Sequence, residues 1–451
     1  MTTRTLLLLL LAFLGFMIYV EWQSEVANEA PTPVEPLPGQ RAEVEPQLDD
    51  PDLPELPEAA PRAADAGPDD RAEMPEPVAR SGERIEVQTD LLIAEIDPVG
   101  GTLTSLRLKE FPVAVDQPDV PIELLGEELT ELHIAQAGLI DTDRRAPNHT
   151  TSYAYEQAFY ELPAGAERLT VPLTWRDEAG LKVVQSWTFH RDDYVIEHRF
   201  EILNRGQTAW EGSRYLRLQR TLSSDGNGMT FTNPERISYN GAAVYSEEDK
   251  FQKLKFDDFD EQQYRNTITG GWAGMVQHYF LSAWIPPADE AHQYTTRLID
   301  RQTPNRYAVT LTSTPVSVSP GGEARFTSRL YAGPKQQNRL DAIAPGLSLT
   351  VDYGIFTVFS KPLFWLLDHI QDFVKNWGVA IILLTLLIKL AFYKLTQAQF
   401  RSMGKLRKLQ PRIQQLKERY GDDRQKFGQA MMDIYKKEKV NPLGGCLPIL
   451  V

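Results

Sequence analysis

Two apolar runs bracket this chain of 451 residues and restrict its fold more than any other feature. The first is Thr5–Val20, TLLLLLLAFLGFMIYV, and the second lies at 377–395, WGVAIILLTLLIKLAFYKL. About 20 apolar residues in helical form are needed to cross the hydrocarbon core of a bilayer. The sequence therefore predicts a multi-domain membrane protein with an N-terminal transmembrane anchor at 1–22 and a second transmembrane helix at 377–395.

The first run has an alternative, because a cleavable signal peptide also starts with a positive residue and an apolar centre. Arg4 supplies that charge here. The run ends in bulky side chains and not in a small-residue cleavage site: Met17, Ile18, Tyr19 and Val20. This ending favours an uncleaved anchor over a signal peptide.

The formal net charge of −15 divides unevenly along the chain. Residues 1–20 carry +1, residues 21–388 carry −25, and residues 389–451 carry 14 basic against 5 acidic side chains. Because positive segments stay in the cytoplasm, both ends are predicted there, with the acidic middle in the periplasm of a bacterial inner membrane. The acidic total disfavours nucleic acid as a primary ligand, and a single cysteine, Cys446, excludes a disulfide framework.

Between the two runs, the composition changes once. Residues 21–80 hold 12 of the 31 prolines and 16 acidic residues, which predicts a disordered periplasmic tether over 23–82. From 83 to 345, short alternating segments such as LKVVQSWTFH and YVIEHRFEILN are separated by turn residues. This spacing predicts a large all-β sandwich, with one short helix near 336–343.

Two groups of side chains in the β region invite functional hypotheses. His190 and His198, with Asp192 and Asp193, suggest an acid–base site, although polar residues at strand ends are the commoner explanation. Five tryptophans can be either stacking faces for a carbohydrate or core residues: Trp175, Trp187, Trp210, Trp272 and Trp284.

Helical periodicity dominates the C-terminal part. Residues 346–376 predict an interfacial amphipathic helix rich in Trp and Phe, and residues 396–440 predict a basic helical hairpin broken at Gly421–Asp423. The basic faces of the hairpin can contact anionic lipids or ribosomal RNA, or remain solvated. Residues 441–451 are again apolar, which predicts the start of a further transmembrane helix in a chain truncated there.

Lys389 is the strongest candidate for a functional residue. Placing a cation inside a membrane-spanning helix costs free energy, so such a residue is expected to have a function. It lies five residues before Lys394, about 8 Å along a helix. Its side chain can therefore also reach the cytoplasmic headgroups by snorkelling. Both explanations stand on the residues alone.

The segments NWGVAIILLTLLIKLAFYKLT, KLTQAQFRSMGKLRKLQP and GDDRQKFGQAMMDIYKKEKVNPLGGCLP resemble the YidC/Oxa/Alb family in its Gram-negative form. The resemblance is most specific over 375–448, where NPLGGCLP is the strongest signature. It implies a membrane protein insertase that takes nascent membrane proteins from the cytoplasm, alone or beside the Sec translocon. No enzymatic step and no cofactor are implied, and the β domain resembles the super-sandwich of that family, which is similar to sugar-epimerase folds.

The resemblance also implies site residues. Lys389 falls where many members keep Arg in a hydrated groove, with Thr385 and Tyr393 expected beside it, and Lys394 stands where relatives often have Pro. The hairpin is expected to contact substrate, ribosome or lipid through six residues: Arg401, Lys405, Arg407, Lys408, Met431 and Met432.

Two other classes of protein remain as alternatives. A membrane-anchored periplasmic carbohydrate-binding or epimerase-like protein would use the β domain and leave Lys389 dispensable. A sensor would pass a periplasmic signal to the basic hairpin across the second span.

Overall fold

The computed structural model describes residues 53–55, 57, 62–63, 83–142, 145–221, 239–259, 263–300, 305–353, 357–420 and 424–437. The chain divides into two units, Met1–Asp352 and Tyr353–Val451. The predicted anchor at 1–22 and the apolar segment at 441–451 lie outside the described residues.

The described part of the first unit is built from β-strands. In its first half these are β1 (Arg62–Ala63), β2 (Ile85–Gln88), β3 (Leu92–Asp97), β4 (Thr102–Ala114), β5 (Gln117–Leu125), β6 (His133–Asp141), β7 (Ala154–Tyr155), β8 (Phe159–Glu161), β9 (Arg168–Arg176), β10 (Leu181–His190) and β11 (Val195–Asn204). In its second half they are β12 (Trp210–Thr221), β13 (Gly241–Ser246), β14 (Lys250–Leu254), β15 (Arg265–Thr269), β16 (Trp272–Val276), β17 (Phe280–Ile285), β18 (Ala291–Asp300), β19 (Arg306–Ser313), β20 (Val316–Val318) and β21 (Glu323–Pro334).

These strands form two large sheets. The first sheet has the order β15-β18-β19-β12-β6-β4-β3-β2-β8, with β5 beside β4, β20 beside β12 and β1 beside β20. The second sheet has the order β14-β13-β16-β17-β21-β11-β10-β9-β7. Pairing among the described strands is antiparallel except for β1 with β20 and β2 with β8. The prediction of a large all-β sandwich is confirmed.

The core lies between the inner faces of the sheets, because successive side chains of a strand point to opposite faces. In β3, buried and half-buried residues alternate without exception. Trp187, Trp272 and Trp284 are fully buried, and Trp210 is nearly so. The indole N–H of Trp187 donates to the Gly101 carbonyl at 3.0 Å. These four tryptophans are therefore core residues and not exposed stacking faces for a carbohydrate.

A buried cation joins the two sheets. Arg214 on β12 is fully buried, and its Nη1 donates to the carbonyl oxygen of Thr327 on β21 at 2.7 Å. Its Nη2 donates to Nε2 of His292 at 2.8 Å and lies 3.7 Å from Oε2 of Glu290. Burial lowers the pKa of Arg214 to about 10, with the charge of Glu290 opposing that shift. Arg214 therefore keeps its charge at neutral pH, where it is paired and hydrogen-bonded.

The described helices are α1 (Gln337–Ile343), α2 (Thr357–Val374), α3 (Trp377–Ala391), α4 (Tyr393–Tyr420) and α5 (Arg424–Lys437). Two short 3₁₀ helices lie at Phe256–Phe259 and Leu347–Thr350. The short helix expected near 336–343 is confirmed as α1. The amphipathic helix begins at Thr357 and not at 346, because Leu347 is buried in the core of the first unit.

The tether also differs from its prediction where it is described. Residues 23–82 are predicted to be a disordered tether, yet within them Arg62 pairs with Val316 and Ala63 with Ser317, in parallel. Proline and acidic content disfavour long strands in the tether but do not prevent a pairing of two residues.

Arg214→Met should lower the free energy of unfolding by about 3–5 kcal/mol, because it removes a buried cation together with its hydrogen bonds to Thr327 and His292. Arg199→Met is the matched control, since Arg199 is exposed and pairs with Glu201 at 3.6 Å. It should cost less than about 1 kcal/mol. Denaturant unfolding followed by near-UV circular dichroism measures both, and equal losses would refute the role of Arg214.

His133 predicts a pH dependence of stability. Burial, aided by the charge of Arg220, lowers its pKa to about 3, and its Nε2 lies 2.7 Å from Oγ of Ser282. In the unfolded chain the pKa is about 6.5. Between these values only the unfolded state binds the proton, so stability falls as the pH drops below about 6.5, by up to about 1.4 kcal/mol per unit.

His133→Gln should flatten the decrease in unfolding free energy between pH 6.5 and pH 4 by about that amount per unit. His278→Gln, at a half-buried position of the same domain, is the control and should keep the slope of the parent. Parallel pH profiles for the parent and His133→Gln would show that His133 does not contribute.

Candidate functional site

Helix α3 is apolar on all sides. Its large side chains are exposed: Ile381, Ile382, Leu383, Leu386, Leu387 and Leu390. A helix of this kind is stable only inside a large core or a membrane. Its 15 residues extend about 22 Å, which is less than the hydrocarbon thickness of about 30 Å.

The predicted single helix at 377–395 is interrupted. Among the described residues no unbroken helix is long and apolar enough to span a membrane. Helix α3 and Tyr393–Arg401 of α4 together reach that length and apolarity, but a bend of 59° separates them. Phe392 separates them with φ −90° and ψ 4°, and its N–H still donates to the Ile388 carbonyl at 3.0 Å. Residues 388–395 contain neither proline nor glycine, so the bend has no signal in the sequence.

The start of α3 is fixed by a defined turn. Lys375 has φ +54° and its N–H donates to the carbonyl of Gln371 at 2.6 Å, which ends α2. The side chain of Asn376 then caps α3 by accepting the N–H of Val379 at 3.1 Å. Ala380 is fully buried, and α2 and α3 pack against each other. These two helices therefore form a helical hairpin.

Lys389 lies in the last turn of α3 and is exposed. Thr385 is one turn earlier, so the two side chains share a face of the helix. The hydroxyl of Thr385 donates to the Ile382 carbonyl at 2.8 Å. A cation near a helix C-terminus is favoured by the helix dipole, and Lys389 lies in the last turn of α3.

Tyr393 is separated from these two residues by the bend. It begins α4 and lies beside an open surface depression, together with Thr396, Gln397, Phe400 and Arg401 of the same helix. Thr385 and Lys389 do not line this depression.

The predicted basic hairpin corresponds to α4 and α5, which pack against each other. Pro411 lies inside α4 without ending it. Within α4, Leu409 is buried, Arg401, Arg407 and Lys408 are exposed, and Lys405 lies between them along the helix. On α5, Met431 is half-buried and Met432 is exposed, so Met432 is the methionine available for a partner.

A second concave surface lies on the outer face of the second sheet. It encloses about 1240 Å³ and is lined by residues of β9, β10, β11 and β21, together with β15 of the first sheet and the turns at 246–249 and 270–271. Arginines and carboxylates are mixed across it, as in the pair of Arg199 and Glu201 at 3.6 Å. This cleft was not predicted from the sequence, although the polar residues that alternate along β9 to β11 are its signal.

The proposed acid–base histidines are not assembled into one site. His198 is fully buried, its ring centre lies 4.6 Å from that of Trp187, and burial holds its pKa well below the usual value. His190 is half-buried and lies 3.4 Å from Oε1 of Glu197. Polar positions on strands therefore explain both residues. Within the described residues no three His, Cys, Asp or Glu side chains are grouped as metal ligands.

Two protein families match this chain, one over most of the first unit and the beginning of the second, and the other over the rest of the second unit. Residues 84–366 match the YidC periplasmic domain, and residues 369–451 match the 60Kd inner membrane protein family.

Individual relatives agree with this match. A membrane protein insertase YidC from Alkalilimnicola ehrlichii is 48% identical over 82% of this chain and 64% of its own length. Another from Azotobacter vinelandii is 39% identical over 99% of this chain and 79% of its own. Among solved structures, a galactose mutarotase-like protein from Lactobacillus casei aligns with a TM-score of 0.39 and 11% identity, over 55% of this chain and 99% of the other.

Proposed function

Because the chain belongs to the YidC family of membrane protein insertases, we propose that it inserts nascent proteins into the bacterial inner membrane and helps them to fold. The observation that carries the mechanism is Lys389, a cation on a helix that is otherwise apolar on all sides. The insertion itself proceeds without a covalent step, so its site residues act by binding and by electrostatics.

The proposed topology follows the charges. The N-terminus and the hairpin of α4 and α5 lie in the cytoplasm, on the basic side, and the β domain lies in the periplasm. Helix α2 lies at the membrane interface, where its exposed Trp365 and Phe373 suit the boundary between headgroups and acyl chains. Helix α3 enters the bilayer, and further spans complete the membrane core.

Lys389 and Thr385 would face a hydrated groove in that core. A polar or acidic flank of a substrate crosses hydrocarbon at a high cost in free energy, and a cation in water lowers that cost by attracting the flank partway in. The apolar segment of the substrate then enters the lipid by its own hydrophobicity. The bend at Phe392 supports this proposal, because it leaves α3 too short to span the bilayer and keeps Lys389 near its end.

The hairpin would receive substrates before they reach the groove. Arg401, Arg407 and Lys408 are exposed on α4 and can contact anionic lipid headgroups or the ribosome, and Lys405 belongs to the same basic segment. Met432 offers an unbranched, polarizable contact that adapts to different apolar segments, and Met431 would contribute from the seam. Tyr393 and Arg401, which lie beside the open depression at the start of α4, would connect the groove to the hairpin. Cooperation with the Sec translocon on larger substrates is part of the same proposal.

The carbohydrate alternative is weaker on the observed packing. Stacking on a sugar needs an accessible aromatic face, and four of the five candidate tryptophans are buried in the core while Trp175 is half-buried.

Substitution at Lys389 tests the proposed groove. Lys389→Glu should reduce insertion by about tenfold or more, because it repels acidic flanks, and Lys389→Arg should insert like the parent. Lys394→Glu is the matched control, five residues later on α4. Insertion is measured by protease accessibility of a small membrane protein, in cells depleted of their own insertase and complemented with the complete gene.

Equal insertion by the parent, Lys389→Ala and Lys389→Glu would remove the groove charge from the mechanism. Equal loss in Lys389→Glu and Lys394→Glu would assign the effect to the general charge of this segment and would contradict a specific role of Lys389.

A further inference from the structure

The first sheet has a gap in its pairing beside β20. Strands β19 and β20 both pair with β12, β19 through 215–221 and β20 through 210–212. Strand β18 covers the other side of β19 and reaches only as far as the pair of His292 with Ser313. Among the described strands β2 to β21, none pairs with the second edge of β20.

The tether fills this gap. Strand β1 adds to β20 in parallel, with Arg62 opposite Val316 and Ala63 opposite Ser317. An exposed strand edge presents unpaired N–H and carbonyl groups, which an extended peptide can satisfy by adding a strand. Val316 and Val318 are buried on the inner face, so the edge itself is held rigidly by the core.

A second contact lies upstream in the tether. Glu55 forms an ion pair with Arg265 at the start of β15, and Leu53, Pro54 and Pro57 are half-buried. The two contacts are seven residues apart in the tether, and they fall on β15 and β20 of the same sheet.

Both contacts are weak by their physical nature. The side chains of Glu55 and Arg265 are 78% and 56% exposed, and exposed ion pairs contribute about 0–1 kcal/mol. A ladder of two residues offers few main-chain hydrogen bonds. A segment held in this way is expected to dissociate and rebind readily.

We propose that the free edge of β20 is a strand-addition site for an extended, acidic peptide segment, and that the tether occupies it reversibly in cis. The ligand pairs in parallel with Val316 and Ser317 and places a carboxylate near Arg265. A periplasmic polypeptide segment with an acidic residue about seven positions before its paired residues fits both contacts and displaces Arg62–Ala63.

Cysteine cross-linking tests the tether contact in the full chain. In a Cys446→Ser background, Ala63→Cys with Ser317→Cys should form an intramolecular disulfide under a mild oxidant. The control pairs Ala63→Cys with Ser186→Cys on the second sheet, and should react at least tenfold more slowly. Equal rates for the two pairs would overturn docking of the tether on β20.

Peptide binding tests whether a free segment can replace the tether on β20. A fluorescent peptide of residues 53–66 is titrated against the full chain and against a variant in which residues 58–66 are replaced by Gly and Ser at equal length. The variant should bind at least tenfold more tightly, and Arg265→Glu in that variant should weaken binding. Excess peptide should also slow the disulfide between positions 63 and 317.

Equal binding to the two proteins, or no binding to the variant with the Gly and Ser replacement, would overturn the strand-addition site. Neither experiment depends on insertion activity, so its outcome is separate from that of the proposed function.

Discussion

The cost of exposing an apolar helix to water is the constraint on which the rest of this protein depends. Helix α3 has leucine and isoleucine on every side, so no single neighbouring surface can cover it. Only a large core or a bilayer covers such a helix from all directions. The charge of the chain changes at the same place, because acidic residues are concentrated before α3 and basic residues after it.

Within that arrangement Lys389 is a local exception whose position is physically favourable. The bend at Phe392 ends α3 early, and the helix dipole at that end favours a nearby cation. The same feature that shortens the span thus lowers the cost of keeping a positive charge on it.

The β domain is stabilised in a different way. Its two sheets share a core of fully buried tryptophans, and Arg214 links β12 to β21 through a hydrogen bond to a backbone carbonyl. Arg214 also pairs with Glu290, and the loss of either partner of a buried ion pair lowers stability. The cleft lies outside this core, and so does the edge of β20, with which Arg62 and Ala63 pair.

Much of this was predictable from the sequence, and the exceptions have physical causes. Alternating segments such as LKVVQSWTFH predicted strands because a sandwich imposes a period of two, and this period is observed in β3 and β10. The break at Phe392 was missed because it involves neither proline nor glycine. The pairing of Arg62 and Ala63 was missed because it depends on a distant edge and not on local propensity.

Site-specific photo-cross-linking measures the proximity of Lys389 to an inserting substrate. A photoreactive residue at position 389 or 385, and a control at the exposed position 387 on the opposite face of α3, are compared with a ribosome-stalled nascent membrane protein. We expect strong adducts from 389 and 385 and weak ones from 387. Equal adducts from all three positions, or none from 389, would contradict this proximity.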